Sequence, residues 1–405
     1  MSHRTKLRIN KKIKEQISHE KLQVIIKDQP KRRLKGQKWM WILLCYPIGG
    51  LCLILAQNSS FLAEELFSKR IFWLFSQSVA TITGWIPFSL AEMILVIGIP
   101  VLFLFFLIHF IRLVRQKEQR RKRIQDGLIH AGKGVLTAGG VLFLWFVLGC
   151  GVNYYRYPFS YYSGLEVKES SVEELYGLCK ELAQYAGYAR EELLSEEESK
   201  IYQYQGSIKE LGNAAKQAYI TLARQYPILS GIYSSPKPVL LSKLMSRTEI
   251  TGIFIPFTME ANVNVDIPDY SLGSTMCHEL AHLHGFIRED EANYISYLAC
   301  IHSGNPDLVY SGYMEALIIS ANALYKKNKE LYYQVRELYT TGMIQDLVDN
   351  SLYWKQFENT VISNTANKIN DVYLKINNQE DGVQSYGRMV DLLLAEYRQR
   401  QEGTT

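Results

Sequence analysis

Three long uncharged stretches dictate most of what this chain can become. Trp39–Ala56 runs for about 18 residues without a charge, near the length that spans a bilayer's hydrocarbon core. Phe88–Ile111 is interrupted only by Glu92, close to one end, and Gly134–Val152 carries no charge at all. Helices this long and apolar satisfy their own backbone groups where no water is present, so the chain is read as crossing a membrane three times. Pro47 and Gly49-Gly50 are expected to bend the first span, and Trp39 and Trp41 suit the headgroup level.

Charge orients these spans. Residues 1–38 carry a net +10 and residues 112–133 a net +6, whereas 153–405 hold about −10 in a chain whose total is +5. Cytoplasmic flanks collect Lys and Arg, which puts the tail and the Arg112–Lys133 loop inside and the C-terminal region outside. Basic residues that flank apolar runs, with no aromatic-interleaved basic face, point to membrane lipid as a partner and away from nucleic acid. Within the tail, Ile9–Ile26 reads either as an amphipathic helix on anionic lipid or as a mobile basic segment. Ile71–Trp85, apolar but short and dotted with Ser, Gln and Thr, reads as interfacial or re-entrant. The expected organisation is a basic cytoplasmic tail (1–38), a membrane region (39–152) with spans at 39–56, 88–111 and 134–152, and an extracytoplasmic domain (153–405).

That domain is expected to be α+β, mostly helical with a small sheet. Asn153–Leu165 is rich in Tyr and suits an aromatic collar at the membrane surface. Ser171-Val172-Glu173-Glu174 has the capping-box pattern and opens a helical stretch to Tyr226, after which Pro227, Pro236 and Pro238 interrupt the chain. Thr251–Val265 reads as strands divided by Pro256. From Asp269 onward the pattern is helical, with amphipathic spacing in Tyr313–Tyr339 and Gly382–Arg398. The six cysteines include no C-x-x-C pair, so neither a zinc ribbon nor a disulfide framework is indicated.

The chemistry concentrates in Cys277–Glu289, which contains His278-Glu279-Leu280-Ala281-His282, an HExxH motif. Residues four apart share a helix face, so His278 and His282 can turn their rings to one metal ion. Glu279 is the catalytic candidate, placed to take a proton from a metal-activated water. Ser274 or Thr275 is expected to N-cap this helix and Gly285 to end it. Cys277 points about 100° away from His278 and is read as packing. His284 faces the opposite side, and His302 is read as a structural histidine. Catalytic zinc takes three protein ligands, and the third is sought among Glu289, Asp290 and Glu291.

HExxH followed by Glu289-x-x-Ala292-Asn293 resembles the gluzincin peptidases, including the CAAX prenyl protease and heat-shock membrane peptidase branch. The resemblance implies a zincin-like domain holding Zn2+, with Glu289 as third ligand and Asn293 steadying a ligand histidine; Glu291 is the alternative ligand. Two departures stand out. Glu289 follows His282 by only seven residues, which calls for a tight turn at Gly285, and Asn293 stands where Asp is commoner. Over nearly its full length the chain also resembles an uncharacterised bacterial family of membrane-anchored zinc metallopeptidases, in its three-span start, Asn153-Tyr154-Tyr155-Arg156, the HExxH segment and Tyr373–Gly387. Tyr294, Tyr386 and Arg388 are candidate donors to an oxyanion. The implied function is zinc-dependent hydrolysis of peptide bonds, in peptide or protein substrates, at the outer face of the cytoplasmic membrane. The alternative is a non-catalytic zinc-binding surface sensor or binding protein with a degenerate peptidase fold.

Overall fold

The computed structural model describes residues 38–115, 120–193, 200–377 and 388–403; Ile9–Ile26 and Tyr386 lie outside them. Among the described residues three helices are long and apolar enough to cross a membrane, Trp39–Asn58, Leu90–Arg112 and Arg121–Gly149. The first breaks at Leu43–Leu44 before resuming as α1 (Cys45–Asn58). Pro47 has no N–H to offer the Leu43 carbonyl, which takes the Tyr46 amide instead at 3.2 Å. The break therefore falls one turn before the proline. A further helix, α2 (Trp73–Gly84), precedes α3 (Leu90–Arg115) and α4 (Arg120–Gly149). Arg112–Lys133 is thus largely helical where a loop was expected. Lys and Arg are good helix formers, so nothing stops α3 and α4 from continuing beyond the apolar zone. At 1.5 Å per residue, α4 is about 45 Å long against a hydrocarbon core of about 30 Å.

The chain forms two compact units. The smaller comprises residues up to Ile48 together with Lys117–Leu144. In it Tyr46 lies over Gly139 and Gly140, stacks on Phe143 and donates to the Leu136 carbonyl at 3.0 Å. A Cβ at Gly140 would sit 2.9 Å from the Tyr46 ring, so these glycines make the room.

The larger unit comprises Gly49–Gln116 and Trp145–Thr405. It therefore takes in α2 and α3. Its helices continue as α5 (Val172–Glu192) and α6 (Ile208–Leu222). Both open with full capping boxes, Ser171 with Glu174 and Ser207 with Glu210. Three short strands follow, β1 (Lys237–Pro238), β2 (Gly252–Ile255) and β3 (Glu260–Val263). Their order is β1-β3-β2, with β1 parallel to β3 and β2 antiparallel to it, Gly252 opposite Val263 and Ile255 opposite Glu260. The remaining helices are α7 (Leu272–Leu283), α8 (Glu289–Ile301), α9 (Pro306–Lys327), α10 (Lys329–Arg336), α11 (Thr341–Lys355), α12 (Val361–Ile376) and α13 (Met389–Gly403).

Helix α7 is the hub, buried along nearly its whole length between β2 and β3 and helices α6, α8 and α9. It starts at Leu272, so Ser274 and Thr275 lie inside its first turn and neither is the N-cap. The Ser274 amide is instead satisfied by the Ser311 hydroxyl of α9 at 2.7 Å, where Gly273 lets the two helices close up.

Asn153–Leu165 is divided, with Tyr161 exposed and other residues turned into the core. Tyr154, Arg156 and Phe159 are buried. Arg156 pairs through two nitrogens with Glu64 at 3.0 and 3.1 Å, and Ser68 donates to Asn153 at 2.7 Å. Glu64 and Ser68 lie in a π-helical stretch, Ala63–Phe72, just ahead of α2. Phe72 and Ala80 then join the core, so Ile71–Trp85 is a helix with one face packed into the domain. A buried Arg needs a buried acid, and that requirement draws the collar inward.

Candidate metal centre

The motif sits on the last two turns of α7 and the first turn of α8. Helix α7 ends in a Schellman turn: Gly285 N–H bonds to the His282 carbonyl at 2.9 Å and Phe286 N–H to the Ala281 carbonyl at 3.0 Å. Gly285 has φ +87°, and a Cβ there would meet the Phe72 ring at 2.7 Å, so only glycine fits. The chain folds back at once, and α8 begins at Glu289. This is the tight turn the short spacing required.

Reversal brings one nitrogen of each histidine and one oxygen of Glu289 within 4.8 Å of one another. Glu289 Oε2 lies 3.1 Å from His278 Nε2 and 3.6 Å from His282 Nε2, and the rings stand at 87° to each other. That oxygen is buried yet makes no well-aligned hydrogen bond, and Glu279 Oε2 is likewise buried without a partner. Two imidazoles and a carboxylate converging with unspent lone pairs suit a cation such as Zn2+ better than a hydrogen-bonded cluster. Burial opposes the ionised form of Glu289, but the His282 and His278 charges hold its carboxyl down at about 2. Burial likewise resists charging of His282, and Glu289 overcomes it to raise that ring to about 9. Glu279 goes the other way, pushed up to about 7 by burial despite the neighbouring histidines.

Strand β2, inside the Thr251–Val265 stretch that the sequence marks as strands, completes the site. β2 is an edge strand, and it lies against the Glu279 side chain. A Cβ at Gly252 would fall 2.8 Å from the Glu279 carboxyl carbon, so the strand approaches this closely only because residue 252 has no side chain. The outer edge of the sheet therefore runs beside the candidate base.

The other candidates fare differently. Asn293 is buried one turn beyond Glu289, but it does not hydrogen-bond to Nδ1 of either ring. His282 Nδ1 is held by the Phe286 carbonyl at 2.9 Å, a consequence of the Schellman turn, and His278 Nδ1 has no partner among the described residues. Glu291 is not a ligand. Its oxygens take the Phe159 amide at 2.6 Å and the Arg288 guanidinium, which fixes the buried N-terminal stretch to α8. Tyr294 donates to Glu396 of α13 at 3.0 Å and so serves packing, not the triad. Arg388 lies 3.9 Å from Asp290. His284 is sandwiched by Tyr219 and Tyr233, and burial drives its ring down to about 3. His302 bonds to the Leu298 carbonyl of its own helix, and Cys277 is core, as the helix geometry required.

Two groups near the triad were missed. Glu315 of α9 is half-buried and within range of the His278 charge. Tyr154 and Tyr373 have hydroxyls 3.4 Å apart, and burial above all, with the Glu289 charge adding to it, raises both. Tyr373 had drawn notice only as part of a family-like stretch.

Fold and site together define a mostly helical protein with three membrane-length helices and a His-His-Glu cluster fit for a metal ion. The chain belongs to a family described as a protein of unknown function (DUF3810), whose pattern covers residues 67–394. No curated protein and no solved structure matches it.

Proposed function

We propose that this protein is a membrane-anchored zinc-dependent metallopeptidase that hydrolyses peptide bonds at the outer face of the cytoplasmic membrane. The observation that carries this reading is the convergence of His278, His282 and Glu289 beside Glu279, whose buried Oε2 has no partner among the described residues. Zinc held by those three would supply a Lewis acid that makes water a nucleophile near neutral pH. Glu279, buried at the metal side of β2, takes the water's proton and returns it to the leaving amine. The open edge of β2 aligns the substrate backbone alongside. Tyr154 and Tyr373, whose hydroxyls lie within range of the Glu289 charge, rather than Tyr294, are the candidate donors to the oxyanion. The outward placement of the domain rests on the charge bias of its flanks.

The test uses the full chain in detergent or vesicles, assayed for bound zinc and for cleavage of a peptide library. Wild type is expected to hold one zinc per chain and to cleave. Glu279→Gln should keep the zinc and lose about 10²–10⁴-fold in turnover, the usual contribution of a positioned acid–base group. Undiminished cleavage by that variant would remove Glu279 from the mechanism, and a zinc-free wild type would remove the enzyme. The unpartnered His278 Nδ1 favours a second reading, a zinc-binding sensor without turnover. Stoichiometric zinc with no cleavage of any peptide would select it.

A further inference from the structure

We infer that α12 lies flat in the outer leaflet and seats the domain on lipid. This rests on the membrane-spanning part of the reading above and not on its chemistry. Ile362, Thr365, Ile369, Val372 and Ile376 recur at three- and four-residue spacing and form one stripe, flanked by Val361. Val361 is 83% exposed, Ile369 65% and Ile376 75%, and nothing among the described residues covers them. The helix rests on the protein through a different side, with Ser363 and Leu374 buried. Asn364, Lys368, Asp371 and Lys375 occupy the polar side, with Lys375 paired to Asp371 at 2.7 Å. An apolar stripe with lysines on its polar side is the pattern of a helix lying in the membrane interface.

The position of α12 in the larger unit identifies lipid as the occupant. Tyr373, on the same helix, has its hydroxyl 3.9 Å from Cys150 Sγ and 3.4 Å from Tyr154, and its ring lies 6.4 Å from that of Phe146. Phe146 is in the last turn of the Arg121–Gly149 span, so α12 lies where that span ends. A second foothold stands at the start of the Leu90–Arg112 span. Glu92 there accepts the amides of Leu240 and Leu241 at 2.9 and 2.8 Å, and Leu240, Leu241 and Leu244 are all exposed. Exposed apolar surface beside two span ends meets acyl chains, not water.

The experiment places an environment-sensitive fluorophore on single cysteines of the full chain in phosphatidylcholine–phosphatidylglycerol vesicles. Cys45 and Cys52 are changed to Ser, the other four cysteines being buried. Ile369→Cys and Ile376→Cys should emit at shorter wavelength and be quenched by lipids carrying a nitroxide high on the acyl chain. Asn364→Cys, on the polar side, should behave as in water. Phe103→Cys, within the second span, is the reference. If Phe103→Cys is quenched while both α12 labels stay water-like, or if the unlabelled Ile369→Cys and Ile376→Cys chains cross-link between copies on oxidation, the inference falls and the spans stand. If Phe103→Cys is also water-like, the membrane reading falls with it. Zinc content, measured on the same samples, reports separately on the metal centre.

Discussion

Gly252 contributes to the site by what it lacks. A methyl at that position would press on the Glu279 carboxyl, and displacements of about 1 Å in a catalytic group cost on the order of 100-fold. Gly252→Ala is therefore expected to cut cleavage by about that factor while zinc stoichiometry, measured by metal analysis, stays unchanged. Glu289 separates ligand from bystander. Zinc at 100 times its dissociation constant should stabilise the wild type by about 2.7 kcal/mol, seen as a rise in melting temperature, and Glu289→Ala should abolish that rise. The two histidines and Glu279 were legible because HExxH is local, its geometry following from helix periodicity alone. Glu289 was legible once a turn was granted at Gly285. Gly252 was not, because it reaches the site through a tertiary contact that leaves no spacing to read.

At the scale of elements, local signals held and long-range pairings did not show. The Ser171 capping box and the glycine stop at 285 depend on residues within one turn, and both formed. The first turn of α7 was misread because its donor is satisfied by Ser311 from another helix. The inward-turned part of the collar was not foreseen because Arg156 and Phe159 answer to Glu64 and Glu291, far away in sequence. A similar long-range knot joins α5 to α11. Asp346 accepts from Arg190 at 2.8 Å, from the Tyr202 amide at 2.6 Å and from the Tyr310 hydroxyl at 2.5 Å, all within the core. Asp346→Ala strands the buried Arg190 charge and should cost about 3–5 kcal/mol, read from denaturant unfolding of the detergent-solubilised chain.

For the whole molecule, the orientation proposed from the charge bias makes a claim of its own. A tag at the C-terminus should be cleaved by protease added to intact spheroplasts, and a tag at the N-terminus should be protected until the cells are opened; the reverse pattern would put the metal cluster in the cytoplasm. The larger unit also grips its spans through one hairpin. Glu260 of β3 caps the Leu90 and Ala91 amides at 3.0 and 2.9 Å, and Trp145 at the end of the third span donates to the Pro256 carbonyl in the β2–β3 turn at 3.1 Å. Lys237 locks Glu260 in place at 2.5 Å. The strand beside Glu279 thus cannot rise or tilt without breaking bonds to the ends of both helices, and on the proposed membrane reading the hairpin would work as a ruler of fixed height. If the proposed chemistry holds, a target would be chosen by how many residues separate its own exit from the bilayer from the bond to be cut. Lengthening or shortening that tether should matter more than changing the side chains around the cut.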